Sequence, residues 1–231
     1  MSTASIETVA AQNAPVTQRF FAGHRSFVKK ELRQSAFVLL LGVAGILCGL
    51  VGFVEYTSLS HLSLATGEAA FLAAWIAVPF AIALGLSQSI EFNFRSSLFL
   101  LHMPITREQL IRAKLILGGT VLLICFGIPI LAISIAYSMP VHGEPFFWSM
   151  TGDLWRVAAC SSMVYLAAFL CGIMPTNWFG TRLLPILGIC LFGIAIQIIP
   201  FWWLAAPPLI LFVDWLLLWT ILHFAETRDY A

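Results

Sequence analysis

One carboxylate sits where a carboxylate is costly. Asp214 falls near the middle of the apolar run LILFVDWLLLW, and an ionised acid at such depth costs roughly 2.5–3.5 kcal/mol even on the mild insertion scale. A residue of this kind faces protein or water and finds a hydrogen-bond partner. A hydroxyl such as that of Tyr165 or Ser134 is the expected one. Two roles are open: Asp214, with Tyr165, lines a substrate path or a subunit interface, or Asp214 is a protonated or hydrogen-bonded structural acid.

The other reactive groups are scattered. His24, His61, His102, His142 and His223 lie in separate segments without HxxxH or HExxH spacing, so no metal site is expected. His61 with Glu68, and His142 with Glu144 and Asp153, could converge on a cation or act as acid and base; solvated loop residues are the plainer reading. Cys48, Cys125, Cys160, Cys171 and Cys190 all fall in apolar blocks and form no CxxC pair, which suits packing or lipid-facing residues rather than a disulfide framework. Neither a GxxxxGK[ST] loop nor a GxSxG elbow occurs, so the chain alone lacks a phosphate cradle for nucleotide and that serine nucleophile. No catalytic residue is nominated.

The elements that must position these groups are membrane helices. Of 231 residues, 60% are hydrophobic and only 10% charged, against about a quarter charged in soluble domains. The chain reads as all-α and polytopic, with six apolar blocks at about 36–56, 69–90, 115–137, 154–174, 183–199 and 207–224, each to be judged against the roughly 20 residues that a spanning helix needs. The last two are short and are joined through Pro200 and the pair Pro207 and Pro208, which predicts a tight, partly re-entrant hairpin with Trp202 and Trp203 at headgroup level. Pro79 and Pro129 are expected to kink the second and third spans. Gly42, Gly45, Gly49 and Gly52 line the first span; close packing within the chain is preferred over a dimer seam. A net charge of +1 offers no basic face to nucleic acid.

Residues 1–18 are polar and small, with no Lys, Arg or apolar h-region, and read as a disordered tail ahead of a single transmembrane domain at 19–231. From 19 to 34 an apolar face including Phe21, Val28 and Leu32 is set against Lys29, Lys30 and Arg33. This is an interfacial helix meeting anionic lipid headgroups, or an extension of the first span. With the N-terminus inside, eleven of the twelve Lys and Arg residues are cytoplasmic and only Arg156 is outside. That distribution predicts a multi-pass protein of the cell (inner) membrane with both termini in the cytoplasm. No internal repeat of the inverted-transporter kind is visible.

The same topology places a charged island of 24 residues, 91–114, in the cytoplasm. It reads EFNFRSSLFLLHMPITREQLIRAK and is amphipathic. Pro104 ends a first helix, Thr106 is an N-cap, and Gln109 three residues on completes a capping box, with Ile105 and Leu110 placed as a hydrophobic staple. Helix, sharp turn and a second helix running on into the membrane is the expected form.

The lead-in Val28-Lys29-Lys30-Glu31-Leu32-Arg33, six spans, and a segment running from Glu91 through Met103-Pro104-Ile105-Thr106-Arg107 to Lys114 resemble the ABC-2 type permease family. There the segment typically has a Glu, an apolar run, Leu-Pro-Ile-Ser-Arg and a Lys opening the third span; here Met stands for Leu and Thr for Ser. The resemblance implies a membrane subunit of an ATP-binding-cassette transporter, most often an exporter. A separate ATPase subunit would bind ATP and Mg and contact a coupling helix between the second and third spans. By the resemblance the contacts of the coupling helix would be drawn from Glu91, Arg95, Leu101, Pro104, Thr106, Arg107 and Glu108, and the interfacial helix would contact the ATPase subunit as well. Two permease subunits, alike or different, would form the pore, and this chain would bind no cofactor itself. One departure is the short 200–208 linker, which leaves little room for the family's small outer helices. The alternatives are a membrane-embedded lipid-modifying enzyme using Asp214 or the outer-loop acids and histidines, and a non-transporting assembly or immunity subunit. The substrate is not legible.

Overall fold

Backbone groups in hydrocarbon must be bonded within their own segment, and in a computed structural model of the chain the described residues answer with helix. Those residues are 40, 42, 68–90, 107–138, 147–174, 179–198 and 202–227. The chain divides into the units Met1–Leu40 and Leu41–Ala231, and the five long helices all belong to the second. They are α1 Glu68–Ile90, α2 Arg107–Ser138, α3 Gly152–Ile173, α4 Phe179–Ile198 and α5 Trp202–Thr227, with a 3-10 turn, Trp148–Thr151, leading into α3. No strand occurs among the described residues.

Segments 108–135, 152–173 and 205–224 are each long and apolar enough to cross a membrane, and shorter apolar helical stretches cover 73–89 and 182–196. The chain is therefore read as a helical membrane protein. The tail, the interfacial helix with Phe21, Val28, Lys29, Lys30, Leu32 and Arg33, and the island residues Glu91, Arg95, Leu101, Pro104 and Thr106 lie outside the described residues, as does the first span apart from Leu40 and Gly42.

Local sequence explains the helix ends. Glu108 in the first turn of α2 suits the positive end of the helix dipole, and it pairs with Arg112 one turn on. At the start of α3, Thr151 Oγ1 donates to the Trp148 carbonyl at 2.9 Å, and Asp153 accepts from Arg156. Its other end stops at Met174, whose extended backbone still donates to Leu170 O at 3.0 Å.

The linker expected at 200–208 is helical from Trp202 onward, and residues 199–201 between the last two helices lie outside the described residues. Helix α5 takes in Trp202 to Ala206 as well as Pro207 and Pro208, and α4 begins at Phe179, with Pro185 inside. Pro207 and Pro208 each remove one backbone hydrogen bond, to the carbonyls of Trp203 and Leu204, and the helix continues through them. Helix also runs unbroken through Pro79 and Pro129.

Helix α3 is the centre. Every residue from Met163 to Ile173 is buried, and α1, α2, α4 and α5 all pack on it. Ala167, Ala168 and Cys171 meet Ile186 of α4, Met163 joins Ile196, Ala206 and Ile210, and Leu154 joins Ile130 of α2. Close approach of α1 depends on glycine. A Cβ at Gly85 would stand 2.6 Å from Tyr165 O, and one at Gly172 would overlap Ser89 Oγ. At Gly42 a Cβ would run into the Phe80 ring of α1, so this residue of the glycine-lined first span packs within the chain.

Outward faces are apolar. Ile116, Leu123, Ile128 and Ile135 of α2, Leu184, Leu187, Leu191 and Ile194 of α4, and Leu211, Phe212, Trp215 and Trp219 of α5 are all exposed. An apolar surface of that extent is not tolerated in water and fits lipid.

Candidate functional site

Among the described residues, polar side-chain contacts join the helices of this apolar bundle at two places. The larger lies where α1, α2 and α3 meet. The last four carbonyls of a helix have no partner within it, and Gln88 O is one of these in α1. Lys114, eight residues into α2, donates from Nζ to Gln88 O at 3.2 Å. The Lys114 side chain is buried, at 2% relative exposure; a cation at the negative end of a helix offsets part of its desolvation. This corrects the expectation that Lys114 belongs to a solvated island.

The Gln88 side chain is held from the other side. Tyr165 Oη on α3 donates to Gln88 Oε1 at 2.8 Å. Lys114 O lies 3.5 Å from the same hydroxyl; a phenol has one proton, and the shorter contact takes it. The space exists because residue 118 has no side chain. A Cβ at Gly118 would run into Tyr165 Oη and lie 2.6 Å from Gln88 Oε1. Lys114, Gly118, Leu122 and Cys125 repeat at helical spacing along the buried face of α2. Gln88 Nε2 is buried and has no hydrogen-bond partner among the described residues. Beside it, Ser89 Oγ satisfies itself on the carbonyls of Gly85 at 2.8 Å and Leu86 at 3.1 Å.

The second contact joins α3 to α5. Ser162 Oγ lies 2.7 Å from Asp214 Oδ2 and 2.7 Å from Ala159 O, so its one proton has two acceptors. The arrangement serves either protonation state. With Asp214 ionised, the serine donates to it; with Asp214 protonated, the acid donates to Ser162 and the serine donates to Ala159. Asp214 Oδ1 is buried without a partner. The expected donors are elsewhere, since Tyr165 faces Gln88 and Ser134 bonds its own helix at Ile130 O, 2.7 Å. A hydroxyl was the right kind of partner and Ser162 is the residue.

Asp214 and Tyr165, nominated together, thus belong to separate contacts, both reaching α3. Of the nominated ATPase contacts, Arg107 and Glu108 open α2. Gln88, Lys114 and Ser162 are the residues that the sequence reading did not nominate. Their signal was faint: a Gln-Ser pair near the end of one apolar block, a lysine just ahead of the third block and a Ser-Ser pair in the fourth block. No group of three or more His, Cys, Asp or Glu able to hold a metal ion occurs among the described residues, and Cys125, Cys160, Cys171 and Cys190 are free thiols. No family model, curated protein or solved structure matches the chain.

Proposed function

We propose that this chain is the membrane-spanning permease subunit of an ATP-binding-cassette transporter, working as an exporter with a separate ATPase subunit that binds ATP and Mg. In this reading the protein has six spans and cytoplasmic termini in the cell (inner) membrane. Segment 91–114 is the coupling element, and a second permease subunit completes the path. Beyond the family resemblance, the observation that favours it is the continuity of α2. The helix has 32 residues, about 48 Å at 1.5 Å per residue, against about 30 Å of hydrocarbon. A surplus of this size leaves room for its first turns, which hold Arg107, Glu108 and Arg112, to stand outside the lipid. A stiff rod that starts where a partner docks and ends across the membrane turns a push into a tilt, which a flexible loop would absorb.

The test is association with a P-loop ATPase subunit and transport in reconstituted vesicles. Co-purification that is lost when Arg107→Glu and Glu108→Arg are combined is the expected result. Full transport by the isolated chain, with no ATPase subunit bound, would refute the reading.

A further inference from the structure

We propose that Lys114 is a positioning residue that locks together the two helix ends flanking residues 91–106 and fastens both to α3. Its role in coupling rests on the transporter reading above, whereas the lock itself does not. Lys114 Nζ occupies one of the unpaired carbonyls at the end of α1, and that carbonyl belongs to Gln88, the residue whose side-chain amide receives the Tyr165 hydroxyl. Gln88 is therefore held twice, by α2 through its backbone and by α3 through its side chain. Gly118, one turn beyond Lys114, clears the volume in which the phenol and amide meet. Both Gln88 and Tyr165 are buried, at 4% and 2% exposure, so water is not at hand to replace either bond. A force on 91–106 cannot swing the start of α2 from the end of α1 without opening a charge-assisted, buried hydrogen bond. It can move the two helices together, and α3 with them.

The full chain in lipid nanodiscs is the material for the test. Lys114→Met removes the ammonium at similar volume, Lys114→Arg keeps a cation, and Tyr165→Phe removes one oxygen. Hydrogen exchange is followed in peptides covering 84–90 and 107–118, and the number of substrate molecules moved per ATP is measured with the ATPase subunit bound. Loss of the charged bond in Lys114→Met is expected to speed exchange about tenfold in both peptides and to lower the transport-to-ATP ratio. Tyr165→Phe gives a smaller effect of the same pattern, and Lys114→Arg restores the native values within about twofold. Unchanged exchange at both helix ends in Lys114→Met overturns the lock, and if that variant fails to insert, unchanged exchange in Tyr165→Phe does so. Faster exchange with an unaltered transport-to-ATP ratio overturns the coupling role. Failure of any ATPase subunit to associate with the native chain refutes the transporter reading, and the exchange arm still decides the lock.

Discussion

Replacing Gly85 by alanine forces α1 and α3 apart. A Cβ there would lie 2.6 Å from Tyr165 O, 2.7 Å from Ala168 Cβ and 2.9 Å from Phe169 N. Two of these are backbone atoms of a helix buried from Met163 to Ile173, so no side chain can swing aside. Ordinary carbon contacts begin near about 3.5 Å, and the helices must separate or tilt by roughly 1 Å. Overpacking of this kind costs about 1–3 kcal/mol. At roughly 2–4 °C per kcal/mol for a chain of this size, the middle of that range lowers the melting temperature by about 4–8 °C. Gly127→Ala is the control, since nothing lies within 4 Å of a Cβ built there and alanine is the better helix former. Its melting temperature should equal or exceed the native value. The assay is thermal unfolding of the purified variants in one detergent, followed by intrinsic fluorescence. Equal melting temperatures for Gly85→Ala and Gly127→Ala would refute the close α1–α3 seam and, with it, the setting of the polar junction.

Ser162→Ala takes from Asp214 its one assigned donor and should cost about 1 kcal/mol, a drop of roughly 2–4 °C in the same assay; Asp214→Asn, which keeps an oxygen toward Ser162, should cost less. Full transport by folded Asp214→Asn would remove the acid from any substrate path. On the outer side, Leu123 is 71% exposed near the middle of α2, and Leu123→Arg should disfavour insertion by about 2.5–3.5 kcal/mol, read as the inserted fraction in a membrane-insertion reporter. Insertion equal to that of Leu123→Ala would mean that protein or water, not lipid, covers this face.

The helices were legible in the sequence because hydrocarbon leaves the backbone little choice. The expected blocks 69–90, 115–137, 154–174, 183–199 and 207–224 each overlap a described helix over nearly their whole length. Helices α4 and α5 begin a few residues ahead of the last two blocks, at Phe179 and Trp202, while their apolar stretches begin at 182 and 205, close to the starts read from composition. Lys114 was misplaced. Charge alone says solvent, and its partner is a carbonyl 26 residues away that is available only because α1 ends there. The need of Asp214 for a hydroxyl follows from the cost of a bare acid in hydrocarbon, but which hydroxyl depends on which helices are neighbours. Ser162 and Tyr165, three residues apart on α3, face different partners, and no spacing along α5 could have chosen between them.

The least apolar of the three long helices is also the most buried. Of the three, α3 carries the lowest hydropathy and the largest buried share, the reverse of the pattern in water. Lipid tails are as apolar as leucine, so nothing drives leucine inward; small and polar side chains gain by facing other helices. Ser161, Tyr165 and Cys171 are buried on α3, while Leu123, Leu187 and Trp215 on α2, α4 and α5 point outward. Among the described residues, the side-chain contacts of Gln88 and Asp214 across helices both end on α3, at Tyr165 and Ser162. Helices α1 and α5 are therefore both bonded to one helix, whose second half is buried within the bundle, and substitutions on that half report on helix contacts. Substitutions on the outward faces of α2, α4 and α5 report on the medium around the protein. The two sets together separate a change in the bundle from a change in its surroundings.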